Sequence, residues 1–174
     1  IEAYDPDIIH LHNLHGYYLN IEILFDYLNS ADKPVVWTLH DCWPFTGHCA
    51  YFDYIGCEKW KTECRECPQK SDYPVCNGID GSLRNYLRKK EAFLGAKNLT
   101  IVTPSKWLGE LVKESFLGEY AIAVINNGID LESFKPVASD FRNRYNIADK
   151  AIVLGVAQVW GARKGLRYFI ELSG

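Results

Sequence analysis

The sequence predicts an α/β protein: a parallel, doubly wound sheet with helices on both faces. Short apolar runs rich in β-branched residues alternate with segments whose apolar residues recur at helical spacing. That alternation is the signature of strands joined by crossover helices. A composition of 48% apolar and 24% charged residues gives the 174-residue chain enough material for a buried core. One cysteine-rich stretch, residues 42–80, interrupts the alternation.

The elements follow in order. Asp7-Ile8-Ile9-His10-Leu11-His12 reads as a short buried strand. Ile21, Leu24, Phe25 and Leu28 share one helical face, so a helix is expected over about 18–29. Pro34-Val35-Val36-Trp37-Thr38-Leu39 is a second strand, followed by the insert. Residues 82–94 read as a helix capped by Ser82, and Leu99-Thr100-Ile101-Val102-Thr103 as a third strand. Ser105 is placed to cap a helix running to about Phe116, and Ile122-Ala123-Val124-Ile125 is a fourth strand. Phe134-Lys135-Pro136 and Ala138-Ser139-Asp140 look like a linker. A short helix over 141–145, a fifth strand over 151–157 and a helix from about Lys164 complete the chain. The domain division expected is 1–138 against 139–174, the latter opening a second α/β domain. The fifth strand is expected to add to a sheet, within the chain or by exchange between two copies, which makes a homo-oligomer by strand exchange one expectation.

A net charge of −3 argues against a nucleic-acid partner. No apolar run of about 18 residues indicates a spanning helix. The opening Ile1-Glu2-Ala3-Tyr4-Asp5 does not read as a secretory signal, and the sequence contains no Met, so it reads as a piece of a longer protein. Arg84, Arg88, Lys89 and Lys90 read as a solvated basic helix face, with peripheral contact to anionic lipid as the competing reading.

In open α/β sheets ligands bind outside the carboxyl ends of the strands. Here those ends are polar: His10-Leu11-His12-Asn13, His40-Asp41, Pro104-Ser105-Lys106, Asn127-Gly128, and Arg163-Lys164-Gly165 beyond the fifth. His40 is the leading functional candidate, since an imidazole donates to a hydroxyl or carries a proton near neutral pH. A structural histidine bonded to nearby backbone is the bland reading. His12 is an even choice between the two, and His10 is expected to face the core or a helix. Asp41 either orients His40 or caps the following loop. Asn127-Gly128 allows a turn with positive φ, and Arg163-Lys164 before a helix start suits a diphosphate.

Cys49, Cys57, Cys64 and Cys67 form a C-x7-C-x6-C-x2-C series flanked by Cys42 and Cys76. Four thiolates suit a structural Zn2+, whereas six cysteines also allow three disulfides or remain reduced thiols. The cytosolic look of the remaining chain favours zinc over the other two. A loop of this length needs a cross-link or a function.

Several segments together resemble the family 4 glycosyltransferases, specifically the bacterial exopolysaccharide and colanic-acid-type branch. They are Thr38-Leu39-His40-Asp41-Cys42-Trp43-Pro44-Phe45-Thr46-Gly47-His48-Cys49, Cys67-Pro68-Gln69, Tyr73-Pro74, Val102-Thr103-Pro104-Ser105-Lys106-Trp107-Leu108, Asn127-Gly128-Ile129-Asp130 with Phe134 and Pro136, and Gly155-Val156-Ala157 to Arg163-Lys164-Gly165. The resemblance implies retaining enzymes of GT-B architecture, two Rossmann-like domains with the acceptor mainly on the first and a nucleotide-sugar donor mainly on the second. It implies a catalytic role for His40 and a donor-diphosphate role for Lys164. Many members carry Arg six positions before that Lys, where this sequence has Gln158.

The function expected is sugar transfer to a glycan or lipid-linked acceptor by the full-length protein, with retention, in surface polysaccharide synthesis. It is placed in the cytoplasm or at the inner face of the cytoplasmic membrane. The candidate substrate-binding residues are His12, Asn13, Asp41, Ser105, Asn127, Gly128, Arg163 and Lys164. Neither a catalytic metal nor activity of this chain alone is expected. The alternative is a zinc-stabilised binding module without catalysis.

Overall fold

A computed structural model describes residues 1–16, 18–76 and 78–172. They fall into two units, Ile1–Asn127 and Gly128–Gly174.

The first unit carries a four-stranded, all-parallel sheet in the order β1-β2-β3-β4. The strands are β1 (Ile9–Leu11), β2 (Val35–Thr38), β3 (Leu99–Thr103) and β4 (Ala121–Val124). The register pairs Leu11 with Trp37, Trp37 with Ile101, and Thr103 with Val124. Helices α1 (Ile21–Ala31), α2 (Ser82–Phe93) and α3 (Lys106–Glu114) form the crossovers. Asn20 starts α1 by accepting from the Glu22 and Ile23 amides, and Ser105 starts α3 by accepting from Leu108. Ser82 is the first residue of α2 rather than its cap. Asp80 Oδ1 accepts the Ser82 amide instead, a carboxylate being the stronger acceptor.

The core forms where α1 and α2 meet β2. Phe25, Trp37 and Phe93 pack as a trio with ring centroids 5.6, 4.6 and 4.9 Å apart, all three buried. A Cβ on Gly109 of α3 would lie 3.2 Å from Thr103 and 3.4 Å from Val124, which share the Trp37 and Ile101 face of the sheet. So α1, α2 and α3 all cover one face, and among the described residues this unit shows one of the two helical layers the sequence predicts. The strand order explains it. When each strand adds to the same side of its predecessor, right-handed crossovers put every helix on one face. The other face carries His10, Val36, Thr38 and Thr100, exposed or half-buried, and Val102, which is buried. His10 therefore does not face the core or a helix. Ile9 and Leu11 point inward, and His10 alternates outward.

In the second unit, residues 151–157 form no strand. The described ladders involve only β1 to β4. Apolar, β-branched composition fits a pleated surface, but a strand exists only through its partner. Here Trp160 and Phe169 instead lie over the segment at Gly155, where an added Cβ would come within 2.6 Å of both rings. The helices of this unit are α4 (Phe141–Arg144) and α5 (Leu166–Leu172).

Candidate functional site

The chain leaves β1 and β2 side by side, so the residues that follow become neighbours although 28 positions separate them. His12 Nδ1 lies 2.9 Å from His40 Nε2, and the two rings stack at 5.3 Å and 17°. Trp37 fixes the His12 backbone by donating Nε1–H to its carbonyl at 2.9 Å. His10 stacks obliquely on His12 at 4.3 Å and bonds Thr38 Oγ1 through Nε2 at 2.8 Å. All three imidazoles are exposed. An N–H···N bond needs one ring to donate and the other to accept, so the His12–His40 pair shares a proton at an open sheet edge.

Asp41 does not reach out to orient His40. It is buried, accepts the Trp43 amide at Oδ1, and takes a 2.9 Å contact from His15 Nε2 at Oδ2. It caps the loop, the second of the two roles the sequence allowed. His15 Nδ1 in turn lies 3.0 Å from the Tyr73 hydroxyl, so a Tyr73–His15–Asp41 chain ties the far end of the insert to the sheet edge. Sequence reasoning missed His15. The available signal was a third imidazole in the same loop, three positions beyond His12.

Beside this chain opens a cavity of about 640 Å³, bounded by the loop before α1, the insert and α2. Trp43 and Tyr73 supply aromatic walls, and His15, Asn20, His48 and Arg88 supply polar ones. His48 Nε2 is buried without a hydrogen-bond partner, and burial lowers the pKa of its ring.

The floor of the cavity includes Lys89, which is not part of a solvated basic face. Its Nζ donates to the carbonyls of Trp43 at 2.7 Å and Thr46 at 3.0 Å and sits 3.5 Å from the Trp43 ring centroid. Desolvation pulls its pKa well below the ordinary lysine value. Arg88 pairs in a fork with Glu22 of α1 at 2.8 Å on both nitrogens.

The other sequence-predicted residues are placed as follows. Asn13 is exposed, and its carbonyl accepts the Tyr18 hydroxyl. Ser105 is committed as the α3 cap. Asn127 ends the first unit and Gly128 begins the second. Gly128 is not among the glycines with positive φ, so the turn does not use the freedom the sequence offered. Arg163 and Lys164 lie in a three-residue 3-10 turn, Ala162–Lys164, closed by Gly165 at φ 72° before α5.

All six cysteines are free of disulfides. Cys49, Cys64 and Cys67 are buried and Cys57 half-buried. The interaction between the Cys49 and Cys67 thiols raises the Cys49 pKa and holds that of Cys67 down to about 7. Burial lifts Cys64 to about 11, with the nearby Gly47 backbone pulling the other way. Among the described residues, no group of three or more His, Cys, Asp or Glu is set to hold a metal ion.

A parallel sheet with imidazoles gathered at its carboxyl edge, beside a mixed aromatic and polar cavity, defines an α/β, Rossmann-like domain, a class in which ligands bind outside the carboxyl ends of the strands. The sequence model of Glycosyltransferase Family 4 matches residues 1–133, and the chain belongs to that family. It is similar to the putative colanic acid biosynthesis glycosyl transferase WcaC of Escherichia coli, at 35% identity covering 72% of this chain. The chain spans 32% of that relative's length. No solved structure matches significantly. Among the described residues, no helix is long and apolar enough to cross a membrane.

Proposed function

We propose that the full-length protein transfers a sugar from a nucleotide-sugar donor to a glycan or lipid-linked acceptor, with retention at the anomeric carbon, during polysaccharide biosynthesis. The observation that carries this reading is the hydrogen-bonded His12–His40 pair at the carboxyl edge of the sheet in a chain of this family. His40 presents its imidazole to a hydroxyl or developing charge on the reacting sugar, and His12 fixes its tautomer. The cavity between α1, α2 and the insert takes part of the acceptor. Sugar rings have an apolar face and a polar rim, and this cavity offers Trp43 and Tyr73 for the first and His15, Asn20 and His48 for the second. Arg163 and Lys164 serve the donor diphosphate as cations ahead of a helix. Six reduced thiols suit a cytoplasmic setting, at or near the inner face of the membrane.

The experiment follows transfer by the full-length protein with nucleotide-sugar donors and a glycan acceptor, reading the product's anomeric configuration by NMR. The expected product keeps the donor's configuration. An inverted product would refute retention, and absence of any transfer across the common donors would favour the binding-module reading.

A further inference from the structure

The cavity beside the Tyr73–His15–Asp41 chain is lined by charge of one sign. The whole chain carries 22 acidic residues against 19 basic ones, yet no Asp or Glu is among the described residues that line this cavity. Its charged walls are Arg88 and Lys89. With Asn85 they stand at i, i+3 and i+4 of α2, so one stripe of that helix supplies all three.

Lysine is rarely buried fully without a paired anion, and Lys89 is 3% exposed. None of the ion pairs among the described residues includes it. Its two hydrogen bonds go to the Trp43 and Thr46 carbonyls, which hold the ammonium but carry no net charge to cancel its own. The Trp43 ring adds only a quadrupole. Asp41 is committed to His15 and the Trp43 amide. An ammonium has three donors, and these bonds use two. The neighbours add further donors. Arg88 spends Nε and Nη2 on Glu22, which leaves the two Nη1 protons. His48 Nε2 is buried with no partner. A cavity rich in donors, free of lining carboxylates and walled by Trp43 and Tyr73 suits a ligand with an apolar body and a negative charge.

We propose that this cavity binds an acceptor carrying an anionic group, a carboxylate or a phosphate, and that Lys89, with Arg88 and His48, receives that group. The proposal rests on the reading of the cavity as part of the acceptor site and adds the charge of what enters it. A bound anion also offsets the desolvation that lowers the Lys89 pKa.

The test is calorimetric titration of the full-length protein with two matched pairs of probes. Methyl glucoside against methyl glucuronide puts the charge on a sugar, and geraniol against geranyl phosphate puts it on a lipid. Within at least one pair the charged member should bind about tenfold tighter or more, the scale of one hydrogen bond to a charged group. The pair that shows it separates an acidic glycan from a lipid phosphate as the source of the anion. Asn85→Asp sets a carboxylate in the same wall and should erase the preference, and Lys89→Met should do the same if that variant folds. Equal affinity within both pairs would overturn the anion site and leave the acceptor reading standing. A preference that survives Asn85→Asp unchanged would place the anion elsewhere and overturn it too. Binding of none of the probes would overturn the acceptor reading together with this proposal.

Discussion

His12 Nδ1 and His40 Nε2 meet at 2.9 Å across the ends of β1 and β2. Neither strand end alone makes this pair. The parallel register that sets Leu11 beside Trp37 brings the two loops together. A single net hydrogen bond is worth about 1 kcal/mol, so His12→Ala in the full-length protein should lower kcat about fivefold. His12→Asn, which keeps a hydrogen-bonding group, should recover part of it. Steady-state kinetics on both variants checks this, and equal, complete loss in both would instead give His12 a proton-transfer role.

Asp41 is the buried acceptor for both His15 and the Trp43 amide. Asp41→Ala leaves those donors without a partner, which should cost about 1–3 kcal/mol of stability. Urea unfolding of the chain measures it directly. Asp41→Asn keeps one acceptor oxygen and should cost less.

Lys89 ties α2 to the loop after His40 through the Trp43 and Thr46 carbonyls. Lys89→Met fills the same space but leaves both carbonyls unpaired, an expected loss of about 1–3 kcal/mol. The pH dependence has a definite sign. The folded pKa is lowered, so between that value and the ordinary one near 10.5 the unfolded chain binds more protons than the folded chain. Stability linked to Lys89 then rises with pH across that window and is flat below it. The wild-type minus Lys89→Met difference in unfolding free energy should grow as pH approaches 10.5. A difference that shrinks would show that the fold favours the charged amine and would contradict desolvation as the dominant effect on Lys89.

Gly47 has no room for a side chain. An added methyl would collide with the Ser82 carbonyl at 2.2 Å, which is backbone and cannot rotate away. Gly47→Ala should destabilise the first unit by about 1–3 kcal/mol. A melting curve of the variant within about 2 °C of wild type would show that the loop has another way to pass α2.

The parallel sheet, its first four strands and the Ser105 cap were legible because each rests on local pattern: apolar period, β-branched runs and a hydroxyl before a helix. What was illegible depends on partners distant in sequence. Residues 151–157 have strand composition but no ladder partner among the described residues. Lys89 reads as one member of a surface charge cluster until α2 is seen to turn it under Trp43. His15 acquires significance only once Asp41, 26 positions later, folds back onto it. The single helical face follows from strand order, which no local pattern encodes. The place of His40 at the carboxyl edge of the sheet was legible because it follows the β2 run within two residues, whatever the topology around it.

The central claim is that His40 acts at the reacting sugar. The direct measurement is kcat of the full-length protein and its His40→Ala variant with the same donor and acceptor, alongside circular dichroism to establish equal folding. A positioned proton-transfer group accounts for about 10²-fold or more, so the variant should lose at least that factor with little change in structure. A normally folded His40→Ala protein that keeps near-full turnover would contradict the account.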